Sequence, residues 1–113
     1  MSIYGEWKAA TIASGGTSSA EVDLGRPYET LLMVIPTIDS AQVSIQVAEK
    51  TGGTFQDAHI TEGDGSSAVL KSDLGTGAIT WVLPIGGFQY IKVKTSAGQT
   101  GGARSFRICG CRT

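Results

Sequence analysis

The chain has 113 residues, of which 41% are apolar and 17% charged, with a net charge of −1. That balance suits one domain with a core of its own and excludes a disordered or fully solvated chain. No stretch approaches the ~20 apolar residues of a membrane span, and the opening MSIYGEWKAAT lacks the basic-then-apolar order of a secretory signal, so synthesis in the cytoplasm without membrane contact is expected.

The charges are unevenly divided. Residues 1–73 hold all ten acids and four bases, whereas residues 74–113 hold Lys92, Lys94, Arg104, Arg107 and Arg112 and no acid. Such a division suits a nucleic-acid surface or subunits that meet through unlike faces. The domain as a whole is not basic, which favours the second and argues against direct nucleic-acid binding.

The sixteen glycines argue against long helices, and the periodicity along the chain is two rather than 3.6. Residues 1–10 form a candidate N-terminal arm, with Tyr4 and Trp7 as its aromatics. In SAEVDL, Ala20, Val22 and Leu24 alternate with Glu21 and Asp23. LLMVI, at 31–35, is apolar throughout and predicts a central strand covered on both faces and stopped by Pro36. AQVSIQVAE is the cleanest strand, with Val43, Ile45 and Val47 on one face and Gln42, Ser44 and Gln46 on the other.

The turn-like EGDGSS, Glu62 to Ser67, follows. AITWVLP sets Ile79, Trp81 and Leu83 opposite Thr80 and Val82, with Pro84 closing it. In FQYIKVKTS, Ile91 and Val93 share one face while Phe88, Tyr90, Lys92 and Lys94 share the other, an aromatic and basic face with no core role. The final RSFRICGC directs Phe106 and Ile108 inward and Arg107, Cys109 and Cys111 outward. Glycine pairs punctuate these segments at intervals that predict one all-β sandwich domain spanning 1–113, with eight or nine short strands.

The candidate chemical sites are weak. Cys109 and Cys111 lie ~6.8 Å apart on an extended strand, beyond the ~3.5–4.5 Å between Cβ atoms that a disulfide needs. Two thiols and the single His59 fall short of a zinc tetrahedron, so a structural strand end is expected, and no metal or cofactor. Asp57 and His59 can share a strand face, but no nucleophile elbow accompanies them, so no enzymatic activity is expected. Glu62 and Asp64 are too few for a calcium loop. The residues left as a candidate interface are Tyr4, Trp7, Phe88, Tyr90, Lys92, Lys94 and Arg107.

The order of segments resembles that of small tailed-bacteriophage virion proteins. TIASGGTSSAEVDLG leads to SIQVAEKTGGTF, and an aromatic-then-basic YIKVK strand follows near the end; the likeness covers roughly Thr11 to Arg107. The resemblance implies a jelly-roll sandwich acting as a capsid decoration, or cement, protein. Such a protein binds the major capsid protein on the outside of the virion, commonly as a homotrimer. The alternative it leaves open is a glycan-binding module of a tail or fibre. It brings no active-site residues, and ICGCRT lies outside the shared pattern.

Overall fold

The computed structural model describes residues 3–61, 67–72 and 74–112, with side chains described for 5–59, 68–72 and 74–112. Eleven strands run through these residues: β1 (Ile3–Tyr4), β2 (Lys8–Ile12), β3 (Val22–Asp23), β4 (Thr30–Ala41), β5 (Val43–Ala48), β6 (Gln56–Asp57), β7 (His59–Thr61), β8 (Ser67–Val69), β9 (Gly75–Pro84), β10 (Tyr90–Thr95) and β11 (Arg104–Arg112). No helix occurs among the described residues.

Two antiparallel sheets pack into a sandwich. The first runs β2-β11-β4-β9, with β1 also beside β11, and the second runs β3-β10-β5-β6. Nine strands therefore build the two layers, β1 being a two-residue one. The surplus over the expected eight or nine is the small β7–β8 hairpin. The ladders are nested: β5 pairs β6, β4 pairs β9, β3 pairs β10 and β2 pairs β11. One long folded hairpin wound into two layers gives this pattern, which is the jelly-roll topology.

Alternation decides which side chains enter the core. Ile91 and Val93 of β10, Val43 and Ile45 of β5, and Phe106 and Ile108 of β11 are buried as the period of two requires. Leu31, Met33, Ile35, Ile38 and Ala41 of β4 join them. Burying each larger aliphatic side chain contributes roughly 1.5–3 kcal/mol, so the inner faces of β4, β5, β10 and β11 hold the layers together. The SAEVDL alternation holds for Val22 and Leu24 but not for Ala20, which is exposed beside the buried Ser19.

β4 departs from expectation twice. It is central in its sheet, but its second face is open: Leu32 is half-buried and Val34 is 38% exposed. It also continues through Pro36 to Ala41. The neighbouring β9 supplies the reason. Opposite Pro36 its backbone turns to positive φ at Gly77 (79°) and Ala78 (59°), and the register between the two strands slips beyond Thr37. A Cβ on Gly77 would collide with the Pro36 carbonyl oxygen. The distortion absorbs the missing N–H, so the proline bends the ladder rather than ending it.

The cysteines also differ from expectation. Their strand parity is as read, opposite Phe106 and Ile108, but Cys109 (2% exposed) and Cys111 (5%) are buried. Residues leading out of β1 cross this end of β11: Gly5 N–H donates to the Gly110 carbonyl at 2.8 Å, and the Cys109 thiol donates to the Gly5 carbonyl at 3.3 Å. Both thiols are free. Residues 3–4 and 8–10 of the candidate arm are thus paired to β11 as parts of β1 and β2.

Candidate functional site

The seven candidate interface residues divide between opposite sides of the sandwich. Tyr90, Lys92 and Lys94 lie on the outer face of the second sheet, on the strand face opposite the buried Ile91 and Val93. Phe88 stands before that strand, after the Gly86–Gly87 turn, and is 37% exposed beside Val47, Lys50 and Thr54. Trp7 and Arg107 lie on the outer face of the first sheet, where the guanidinium sits 5.4 Å from the indole centroid. Tyr4 pairs with Cys111 through its backbone, and its side chain lies outside the described residues.

The aromatic-basic strip is largely satisfied within the chain. Lys92 Nζ lies 4.6 Å from the centroid of the Phe55 ring. Lys94 Nζ lies 3.8 Å from Asp57 Oδ1, which also accepts from Gln46 Nε2 at 3.2 Å. Such exposed pairs contribute about 1 kcal/mol or less each, but they hold the lysines down along the sheet.

The acids flanking this face serve turns. Thr51 Oγ1 and Gly52 N–H donate to Glu21 at 2.6 and 2.8 Å, and these two bonds hold its carboxyl below the ordinary range. Asp23 is lowered in the same way, by the Gln89 side chain and the Gly25 N–H.

The division of charge along the sequence does not become a division of surfaces. Lys94 meets Asp57, Arg104 meets Asp39 at 3.2 Å and Arg112 meets Glu29 at 3.4 Å. The nested ladders cause this, because they lay the basic C-terminal strands against the acidic N-terminal half.

The face of the first sheet is different in character. Cross-strand partners share a face, so Cys109, Leu32 and Val82 form one row and Arg107, Val34 and Thr80 the next. Val82 is 66% exposed, Trp7 44% and Val34 38%. Arg107, stacked on Trp7, brings a charge into the same row as Val34.

Among the described residues, the remaining sequence candidates do not come together. His59 Nδ1 lies 3.1 Å from the backbone carbonyl of Asp57, while the Asp57 carboxylate faces Gln46 and Lys94. Burial pushes the Cys109 thiol up, and the neighbouring Cys111 adds to the shift, so its nucleophilic thiolate is suppressed. Among the described residues, no three His, Cys, Asp or Glu side chains come together as a metal site. Glu62 and Asp64 lie outside the described residues.

Two features escaped the sequence reading. One is the fully buried Gln99, which accepts from the Asp39 N–H at 2.8 Å and ties residues 97–100 to β4. No local pattern marks a buried glutamine. The other is the exposure of Ile79 (53%), which shares the inward side with Ile35. Its strand position was legible, but its place at a sheet margin was not.

No family model matches this chain, and no curated protein matches its sequence. Solved structures resemble it to differing degrees. SPBc2 prophage-derived protein YomS superposes with a TM-score of 0.56 at 15% identity, covering 96% of this chain and 95% of that one. The family 32 carbohydrate-binding module of C. perfringens NanJ, solved with galactose, reaches 0.47 at 10% identity over 95% and 99% of the two chains. A chain of the cyanophage Pam1 capsid asymmetric unit reaches 0.38 at 11% identity over 95% and 84%. The likeness to the prophage-derived protein is one of fold.

Proposed function

We propose that this chain is a structural protein of a phage particle, a decoration subunit that seats on the outside of the capsid and ties neighbouring capsid subunits together. The observation that carries the reading is the outer face of the first sheet. Trp7, Leu32, Val34 and Val82 leave apolar surface in water there, next to a single stacked arginine. Exposed apolar side chains gathered on one face mark a protein contact. The segment order of phage virion proteins and a jelly-roll shared with a prophage-derived protein support the same reading. The chain acts by contact rather than by catalysis, with shape and apolar burial as its means.

The test is to purify phage particles from producing cells and quantify the chain against the major capsid protein. Copy numbers comparable with the capsid protein support shell decoration. A few copies per particle, together with saturable glycan binding lost on Tyr90→Ala, would replace it with the tail or fibre module. Absence from particles would overturn both.

A further inference from the structure

We infer that β9 is a self-pairing edge, through which two copies of this chain join antiparallel about a two-fold axis. The inference goes beyond the particle reading, with which it shares Val82, and its test reads the association of the protein alone.

β9 ends the first sheet, with β4 on one side and, among the described residues, no strand on the other. Among the described residues, no backbone hydrogen bond joins Gly75–Leu83 to anything beyond β4. A ten-residue edge of this kind offers its free N–H and C=O groups to any strand that approaches. Folded proteins guard such edges with charge, and this chain does so elsewhere. The marginal strands β2, β3 and β6 carry Lys8, Asp23 and Asp57, and the uncharged β1 is only two residues long. β9 carries none, and residues 74–91 form the longest uncharged stretch of the sequence.

Neutrality also indicates the occupant. An antiparallel two-fold contact sets a strand against itself, so any charge near the axis would face its own copy. β9 meets that condition where β2, β3 and β6 do not. The kink at Gly77 and Ala78 spoils the first part of the strand, which leaves Ile79–Leu83 as the regular segment. Ile79 and Val82 project from opposite faces of this segment and are both largely exposed. Pairing would give each a cross-strand neighbour on its own face and merge the two first sheets into one continuous sheet.

Sedimentation and light scattering over a micromolar concentration series test the inference, alongside amide hydrogen exchange. Wild-type protein is expected to reach twice the monomer mass. The amides of residues 79–83 should gain protection as dimer forms. Val82→Lys places a cation beside the axis in each copy at a site exposed in the monomer. It should weaken the dimer at least about tenfold while leaving the melting temperature of the monomer unchanged. Val82→Glu should do the same, and a mixture of the two variants should recover the dimer. A strictly monomeric or trimeric wild type would overturn the inference. So would a dimer that is indifferent to both variants and shows no protection at residues 79–83.

Discussion

The ring of Tyr28 occupies the space where a side chain at Gly110 would stand. A Cβ built on Gly110 would fall far inside van der Waals contact of the ring carbons, and one on Gly5 would meet the Tyr28 hydroxyl at 2.8 Å. Tyr28 is 5% exposed, so its ring has no solvent into which to retreat. Gly110→Ala is therefore expected to cost about 3 kcal/mol by overpacking, seen as a lowered midpoint in denaturant with an unchanged slope. Tyr28→Ala should be as damaging in the opposite sense, through a cavity of about 3–5 kcal/mol.

Cys109 yields a second expectation. Its thiol is buried, is hydrogen-bonded to Gly5 and titrates above the ordinary range. Both thiols should stay silent to a disulfide reagent at neutral pH until the protein unfolds. Cys109→Ser exchanges a tolerant buried group for a hydroxyl and should cost about 1–3 kcal/mol. Ile108→Ala, on the inner face, should cost about 2–5 kcal/mol. Chemical denaturation of both variants, with thiol counting, checks the pair.

Acid stability follows from Asp39. The Thr100 N–H and hydroxyl donate to its Oδ2 at 2.6 and 3.0 Å, and the Gly101 N–H and Arg104 add smaller effects, so its carboxyl lies below the ordinary range. A carboxyl lowered in the folded state binds its proton more readily when unfolded. The stability it supplies is complete above the unfolded carboxylate range of about 3.9–4.3 and is lost as pH falls through the lower folded value. Glu21 and Asp23 act in the same direction. The melting temperature should be insensitive to these groups near neutral pH and should fall below about pH 4. Asp39→Asn should show a shallower fall, measured by thermal melts across that range.

Strand parity was legible wherever one face is wet and the other dry, as in β5 and β10. What covers a face was not. Leu32 and Val34 imply a second layer by composition, yet their face is open. Cys109 and Cys111 point away from the core as read, yet residues after β1 shield them. Pro36 implies a strand end unless the neighbouring strand bends to receive it, and that bend lies some forty residues away at Gly77 and Ala78. The candidate interface failed to converge for a related reason. Its residues are alike in chemistry, but β10 and β11 belong to different layers, so Lys92 and Arg107 face opposite ways. In each case the missing fact is a contact between distant segments.

The position of β11 has a consequence for how the chain reaches this state. It lies between β2 and β4, and its partners extend back to Ile3, so every ladder it makes spans most of the sequence. Closing such loops costs entropy before any contact is gained, which places folding in the slow regime of milliseconds to seconds. It also sets an order of events during synthesis. The other strands of the first sheet leave the ribosome before β11, so until it arrives β2 and β4 lack the neighbour that separates them. That strand cannot be added at a margin and has to be inserted between two partners. The nascent chain is most exposed to wrong pairings in the interval before that insertion.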